Sequence, residues 1–169
     1  MLVRKLSSVS SLILTGLLTS SVLIAPAFAA DVKPVSGWAI TKIDGAESNA
    51  GPYCTLSRQY DNGAIVTLGR NTTEEYSLAV DFRKDRFDTD RAYKLSLQPG
   101  PGQVRSFEMM PVSPAAMVVR LGWDETFFSA LEKSKNLTVG ISGEEYAFAI
   151  PDIQSGQSDL TACMKGLKT

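Results

Sequence analysis

Apolar and polar residues alternate along most of this chain, in short segments that are separated by turn residues. In residues 76–82 the apolar side chains of Tyr76, Leu78, Val80 and Phe82 occupy alternate positions. A period of two places neighbouring side chains on opposite faces of a strand, so that one face is buried and the other solvated. With that segment counted, alternation predicts nine strands, the others over residues 38–43, 53–60, 64–68, 93–97, 104–110, 117–121, 137–141 and 146–150.

Turn residues stand between the predicted strands. Asn62 and Gly63 form a dipeptide that readily supplies the positive φ angles of a tight hairpin, and residues 71–75 form the next turn. The segment 99–102 ends another strand, because its prolines fix φ and remove donors from the ladder. The last hairpin turns around residues 143–145.

Two segments depart from the period of two. Phe127, Phe128 and Leu131 follow Asp124 at the three- and four-residue spacing of a helix. The Asp124 carboxylate is suited to cap that helix, since it accepts hydrogen bonds from unpaired backbone N–H groups of the first turn. A second short helix is predicted to begin near Ser158. Its buried residues are expected to be Leu160, Cys163 and Leu167.

The predicted fold class is mainly β, an antiparallel β-sandwich or curled sheet with two short helices. Half-apolar strands at short spacing, joined by turn residues, are typical of such folds. Residues 30–169 show no repeat and no linker, and their length suits a single domain with its own core. Residues 30–36 are expected to be a loose start.

Residues 1–29 are predicted to be a cleaved signal peptide. Arg4 and Lys5 precede an apolar run over residues 12–24, and Ala27 and Ala29 supply the small residues of a cleavage site. An uncleaved membrane anchor is the alternative, but polar residues interrupt the run, which is short of the roughly 20 apolar residues of a span. We therefore expect a periplasmic or secreted protein with no stable membrane span after cleavage.

The charge of the chain argues against nucleic acid as a partner. The whole sequence has 17 basic and 18 acidic residues, and Arg4 and Lys5 are the charged residues of the leader. The exported chain therefore has a small negative net charge, with no basic stripe to neutralise phosphates.

Cys54 and Cys163 are the two cysteines of the chain. An even number of cysteines in an exported protein predicts a disulfide, here between the second predicted strand and the closing helix. Two buried unpaired thiols are the alternative. A redox-active pair is disfavoured, because the C-x-x-C spacing that lowers a thiol pKa is not present.

The chain contains no histidine. This excludes Ser-His-Asp and Cys-His catalysis and the usual zinc sites, since histidine is their general base or ligand. No S-x-x-K, G-x-S-x-G or phosphate-cradling G-x-x-x-x-G-K-[ST] motif occurs in the exported part either. We expect no catalytic, cofactor-binding or metal-binding residues and no cofactor.

Several short motifs resemble the invasion-associated locus B family of exported bacterial proteins. They are Gly37-Trp38 at the first predicted strand, the sequence YCTLSRQ over residues 53–59, the strand, acidic turn and helix over residues 118–131, and the closing helix over residues 158–164. The resemblance implies a β-rich periplasmic or surface protein. It implies no catalytic residues that carry over to this chain.

A charged loop and a proline–glycine turn are candidate contact sites, because loops on a rigid scaffold often carry function. Asp81, Asp85, Asp88 and Asp90 could suggest calcium, but the cations between them predict a self-neutralising, solvated loop. That loop remains a candidate for docking a charged partner. The residues predicted to form the contact surface are Arg83, Lys84, Arg86, Pro99, Gly100, Pro101, Gly102 and Trp123.

Trp123 and the methionines each have two interpretations. Trp123 precedes the first helix, where it either packs on the helix or stands exposed as an interface anchor. Met109, Met110 and Met117 could form an adaptable apolar patch, but filling of the core is the favoured interpretation.

Three functions remain compatible with the sequence. The first is a non-catalytic binding module that contacts another envelope protein or a host protein. The second is an inhibitor of a cell-wall hydrolase or protease that presents a loop such as residues 99–102. The third is an enzyme that uses paired carboxylates. The candidate pairs for that enzyme are Asp124 with Glu125 and Glu144 with Glu145.

Overall fold

The computed structural model describes residues 29–45 and 51–167. Apart from Ala29, the predicted signal peptide lies outside these residues. The elements follow in the order β1 (Ala30–Val32), β2 (Ala39–Ile43), β3 (Tyr53–Gln59), β4 (Ile65–Asn71), β5 (Tyr76–Asp81), β6 (Tyr93–Pro99), β7 (Arg105–Met109), β8 (Ala116–Gly122), α1 (Glu125–Glu132), β9 (Asn136–Ile141), β10 (Glu144–Ala149) and α2 (Ile153–Lys165).

The strands form two five-stranded sheets, and the predicted fold class is confirmed. The first sheet has the strand order β1-β10-β9-β6-β7, and the second has the order β2-β3-β4-β5-β8. Every pairing is antiparallel except that of β1 with β10. The nine predicted strands all occur, with bounds that differ by a few residues.

The expectation that residues 30–36 form a loose start was wrong for residues 30–32. Ala30, Asp31 and Val32 form β1, which pairs in parallel with Tyr146 to Phe148 of β10, and Val32 is buried. Three residues are too few to show a period of two, and a parallel pairing depends on a partner more than 100 positions away along the chain. The local sequence therefore carries no signal for this strand.

The closing helix begins earlier than predicted, at Ile153 rather than near Ser158. Asp152, the residue before α2, has a left-handed backbone. Gly156 lies in the first half of the helix, and because glycine is unfavourable in a helix interior, the sequence of this segment is typical of a loop. Gly156 has a packing role: a Cβ at this position would lie 2.9 Å from a Leu56 methyl carbon and 3.3 Å from the Trp38 ring. Glycine therefore lets α2 lie directly on β3.

The core lies between the inner faces of the two sheets and extends beneath both helices. Tyr60, which follows β3, and Phe148 of β10 meet edge to face across the core, with ring centroids 4.9 Å apart. Phe128 of α1 packs on Tyr76 of β5 at 4.0 Å. The predicted burial of Leu160 is confirmed, and Leu167 packs partly buried against the core.

The structure contains the predicted disulfide between Cys54 of β3 and Cys163 of α2, whose Cα atoms are 6.2 Å apart. A second tie lies at the other end of α2. The Arg58 guanidinium and the Trp38 indole both donate to the Pro151 carbonyl, at 2.7 and 3.0 Å. Arg58 also stacks on the Trp38 ring, 4.3 Å from its centroid. The helix is thus held on the second sheet at both ends.

Within residues 29–45 and 51–167, no helix is both long enough and apolar enough to cross a membrane.

Replacing both cysteines by alanine, as Cys54→Ala with Cys163→Ala, is expected to lower the free energy of unfolding by about 3–5 kcal/mol. The bridge closes a separation of 109 positions, so its loss greatly increases the conformational freedom of the unfolded chain. Urea denaturation measures the change, and reduced wild-type protein serves as the control that should match the variant. A loss below about 1 kcal/mol would show that the bridge is strained or dispensable.

Tyr60→Phe is expected to reduce the loss of stability at high pH. Burial raises the pKa of Tyr60 above its usual value of 10.0, so only the unfolded chain ionises readily. The contribution of Tyr60 to the free energy of unfolding is therefore fully present below pH 10 and is lost as the pH rises above that value. The Tyr60 hydroxyl has no hydrogen-bond partner among the described residues, so the variant should keep the neutral-pH stability or gain about 1 kcal/mol.

Urea midpoints measured from pH 7 to pH 11 test the Tyr60 prediction. Tyr53→Phe, on the half-buried outer face of β3, is the matched control and should keep the alkaline loss. If Tyr60→Phe and wild type lost stability equally at high pH, ionisation of Tyr60 would not be the cause of that loss.

Candidate functional site

The predicted contact residues lie at two opposite ends of the molecule. The charged loop follows Asp81 at the end of β5, whereas Trp123 follows Gly122 at the end of β8. These strands are antiparallel, with Asp81 opposite Ala116 and Tyr76 opposite Gly122. The ends of β5 are about 17 Å apart, so the loop and Trp123 do not share one surface.

The charged loop is folded back onto the first sheet. Arg86 forms an ion pair with Glu144, donates to the Tyr146 hydroxyl at 2.6 Å, and lies over the Phe82 ring. Arg83 has a positive φ of 59° and pairs with Asp81 at 3.6 Å. Lys84 is exposed. Arg83 and Arg86 thus each have an acidic partner, Asp81 and Glu144 respectively. Within the described part of the chain, no three acidic or cysteine residues are grouped as metal ligands.

Glu144 and Tyr146 form the most perturbed titratable pair at that end. The hydrogen bond from the Tyr146 hydroxyl, at 2.5 Å, lowers the pKa of Glu144, and the Arg86 charge lowers it further. Burial raises the pKa of Tyr146, and its bond to Glu144 adds to the rise. Glu144 is therefore held as a carboxylate, which disfavours it as a general acid at neutral pH.

The segment 99–102 forms a closed turn beside α1. The Gly100 N–H donates to the Asn136 carbonyl at 3.0 Å, and the Gly102 N–H donates to the Pro99 carbonyl at 2.8 Å. Pro99 is buried as the last residue of β6, and Pro101 is the exposed residue of the turn. A Cβ on Gly100 would lie 2.7 Å from the Ser134 hydroxyl, so the turn packs tightly against the chain after α1.

Met117 lies in the core of the second sheet, as the favoured interpretation predicted. Met109 is partly buried on β7 of the first sheet, and Met110 is exposed. The three methionines therefore do not form one patch.

Trp123 is an exposed aromatic side chain with a defined position. Its side chain is 61% exposed, and its ring packs on Tyr76 at 5.6 Å with the Arg70 guanidinium 5.8 Å from its centroid. The backbone on both sides is fixed. Gly122 has a positive φ of 59°, and the Asp124 carboxylate caps α1 at the Phe127 N–H, 3.0 Å away, and pairs with Arg105. Of the two interpretations of Trp123, packing on the helix or exposure, the structure shows an exposed ring.

Beside Trp123 runs a cavity of about 650 Å³ between the two helices, here called the α1–α2 groove. Tyr76 and Phe128 give it an aromatic floor at the base of Trp123. Its remaining lining residues are Arg70, Glu125, Ser129, Glu132, Gln154, Gln157, Ser158, Thr161 and Lys165. The groove thus combines an aromatic end with polar helix side chains.

Two buried donors of the groove have no acceptor in the described residues, namely Nε of Arg70 and Nε2 of Gln157. A buried donor without a partner is costly, at about 1–3 kcal/mol, and needs an explanation. Arg70 also pairs with Glu74 at 3.7 Å and lies over the Tyr76 ring, so its guanidinium is held in place. Both nitrogens are covered by the protein, so they lie beside the groove without being open to it.

Sequence reasoning found Trp123 but missed the rest of the groove. Arg70 carries a signal that could have been used, because it follows Val66 and Leu68 at a position of β4 that alternation assigns to the buried face. Gln157 lies just before Ser158, the predicted start of the closing helix. It was therefore not assigned to a helix face that could line a site.

Comparison of the chain with protein-family models, with curated proteins and with solved structures finds no match to any of them. The resemblance to the invasion-associated locus B family therefore stays a prediction.

The two tryptophans are expected to be quenched by acrylamide to different extents. Trp123 is exposed, whereas Trp38 is half-buried, stacked on Arg58 and hydrogen-bonded to Pro151. Trp123→Phe should remove the strongly quenched component, and Trp38→Phe should leave it. Equal quenching constants for the two single-tryptophan variants would contradict the exposure of Trp123.

Proposed function

We propose that this protein is an exported, non-catalytic binding module that docks a segment of another protein in the α1–α2 groove. The partner is an envelope protein of a bacterium or a host protein, and Trp123 is the centre of the contact. The observation that carries the proposal is the exposed Trp123 ring, held on Tyr76 and Arg70 at the end of the groove.

The composition of this end of the molecule fits a protein interface. Tryptophan, tyrosine and arginine are the residues that most often dominate binding energies, and here Trp123, Tyr76 and Arg70 are in mutual contact. Their ring and guanidinium contacts restrict the rotamers before binding. Less side-chain entropy is then lost on association, which favours affinity.

The polar side chains that line the groove indicate the chemistry of the partner. The side chains of Arg70, Gln154 and Gln157 line the groove, and their guanidinium and amide N–H groups need acceptors. Backbone carbonyl groups of an extended peptide segment are acceptors of this kind and occur at regular spacing. Glu125, Glu132 and Lys165 also line the groove, so its charge is mixed. We therefore propose a segment with an apolar side chain for the aromatic floor and no strong net charge.

Export supports a partner outside the cytoplasm. The predicted signal peptide directs the chain to the periplasm or the medium, and the Cys54–Cys163 bridge suits an oxidising compartment. The resemblance to the invasion-associated locus B family implies the same location.

The geometry favours neither alternative function. The turn at 99–102 is packed against the chain after α1 and exposes one residue, Pro101, which is a small surface for an inhibitory loop. Of the candidate carboxylates, Asp124 caps α1 and pairs with Arg105, and Glu144 pairs with Arg86. Both are therefore occupied by structural contacts.

Trp123→Ala is expected to abolish capture of the partner while the protein stays folded. The oxidised exported chain is immobilised and exposed to envelope and culture-supernatant extracts, and the retained proteins are quantified by mass spectrometry. Loss of a central tryptophan anchor costs at least about 2 kcal/mol, or roughly thirtyfold in affinity.

Val112→Ala is the matched control for the capture experiment. Val112 has the same 61% exposure as Trp123 but precedes β8, at the opposite end of that strand. The proposal requires a saturable partner that wild type and Val112→Ala retain and Trp123→Ala loses. Equal retention by all three proteins, or no saturable partner, would overturn it.

A further inference from the structure

The outer faces of the two sheets differ in chemistry. On the first sheet the outer positions include the charged residues Asp31, Lys94, Glu108 and Glu145, as expected for a solvated face. The outer face of the second sheet is mostly small or hydroxyl-bearing and half-buried, with Asp81 and Arg120 as its charged members in β3, β4, β5 and β8. Its central residues are Tyr53, Thr55, Ser57, Thr67, Gly69, Asn71, Ser77, Ala79 and Val118.

Gly69 makes a depression in the middle of this outer face. It lies in β4, a central strand, between Thr55 on β3 and Ser77 on β5. Its φ lies outside the left-handed region, so the backbone does not require glycine there. Glycine weakens a strand interior and often marks close approach of a ligand or another backbone. The depression has a volume of about 590 Å³, within the range of small-molecule sites.

Packing alone gives a second reason for glycine at this position. A Cβ on Gly69 would lie 2.7 Å from the Ser77 hydroxyl oxygen, the rotatable end of a small side chain. A serine rotamer change relieves that contact, so packing is a weak constraint. Without a Cβ, Gly69 leaves room for the Ser77 hydroxyl and for the depression beside it.

Polar groups with free hydrogen-bonding capacity surround the depression. Arg120 lies directly across from Ser77 in the register, is exposed, and has no ion pair within the described ranges. Tyr53 borders the opposite side, on β3, and its hydroxyl and that of Ser77 form no hydrogen bond with described residues. The Glu75 carboxylate at the rim accepts from the Asn71 amide at 3.1 Å and has further lone pairs.

We propose that this depression, here called the Gly69 depression, binds a short saccharide that carries a carboxylate. The Arg120 guanidinium presents the paired donors that match a carboxylate. The Ser77 and Tyr53 hydroxyls and the Glu75 carboxylate match sugar hydroxyls, which donate and accept at once. The Tyr53 ring offers an apolar surface for a sugar face.

The dimensions of the face suit an extended ligand. From β3 to β8 the sheet spans three interstrand spacings, or about 14 Å. Tyr53 and Arg120 stand at the two sides of this span, with Gly69 and Ser77 between them. A short chain of sugars that lies across the strands therefore meets both residues.

The Gly69 depression is distinct from the protein-binding site proposed above. Arg70 and Tyr76 border both cavities, but Trp123 lines the α1–α2 groove and Arg120 lines the depression. Trp123 does not line the depression and Arg120 does not line the groove, so failure of one proposal leaves the other standing.

Isothermal titration of the oxidised exported chain with trigalacturonate tests the proposal, with maltotriose as the uncharged probe. Wild type is expected to bind trigalacturonate at least about tenfold more tightly than maltotriose. Arg120→Gln should weaken trigalacturonate binding by at least about tenfold, since it removes the charge and the paired donors. Lys84→Gln, which removes an exposed cation from the distant charged loop, should have no effect.

Three results with wild type and Arg120→Gln would overturn the proposal. These are no binding of trigalacturonate by wild type, equal affinity for maltotriose, and equal affinity in Arg120→Gln. Thermal unfolding of each variant shows that it is folded, and Arg120 is exposed, so its replacement is not expected to disturb the sheet. Loss of binding in Lys84→Gln as well would indicate attraction by overall charge and would also overturn the assignment to the depression.

Discussion

The attachment of α2 to the second sheet is the constraint on which the rest of the structure depends. The helix buries Ile153, Leu160 and Met164 in the core, and two further ties hold its ends. The Cys54–Cys163 bridge fixes its second half, and donation from Arg58 and Trp38 to the Pro151 carbonyl fixes its start. Because α2 forms one wall of the α1–α2 groove, the geometry of the groove depends on these ties.

The same attachment explains a glycine and an arginine in unusual places. Gly156 sits inside a helix, where it costs up to about 1 kcal/mol relative to alanine, but a Cβ there would collide with Leu56. Arg58 is almost fully buried, which is rare for a charged residue, and burial lowers its pKa. Its stacking on Trp38 and its bond to Pro151 offset part of that cost.

Local periodicity predicted the strands well, because β3 to β6 alternate apolar and polar positions and end at turn residues. It failed where structure depends on distant residues. β1 exists through its pairing with β10, and the first turn of α2 exists through packing on Leu56 and Trp38. The groove as a whole was harder to predict for the same reason, since Arg70 of β4 and Gln157 of α2 line one cavity only after both helices have packed on the second sheet.

A chain without histidine has few means of catalysis near neutral pH, but binding requires only shape and fixed polar groups. In the two proposed sites, this fold places such groups on fixed backbone elements. Trp123 is held by Tyr76 and by the cap of α1, and the hydroxyl groups around Gly69 stand on strands of a bridged sheet. Rigid elements place contact groups more accurately than loops do. In the charged loop, by contrast, Arg83 and Arg86 are already paired with Asp81 and Glu144, and so these two cations offer a partner less than the sequence suggests.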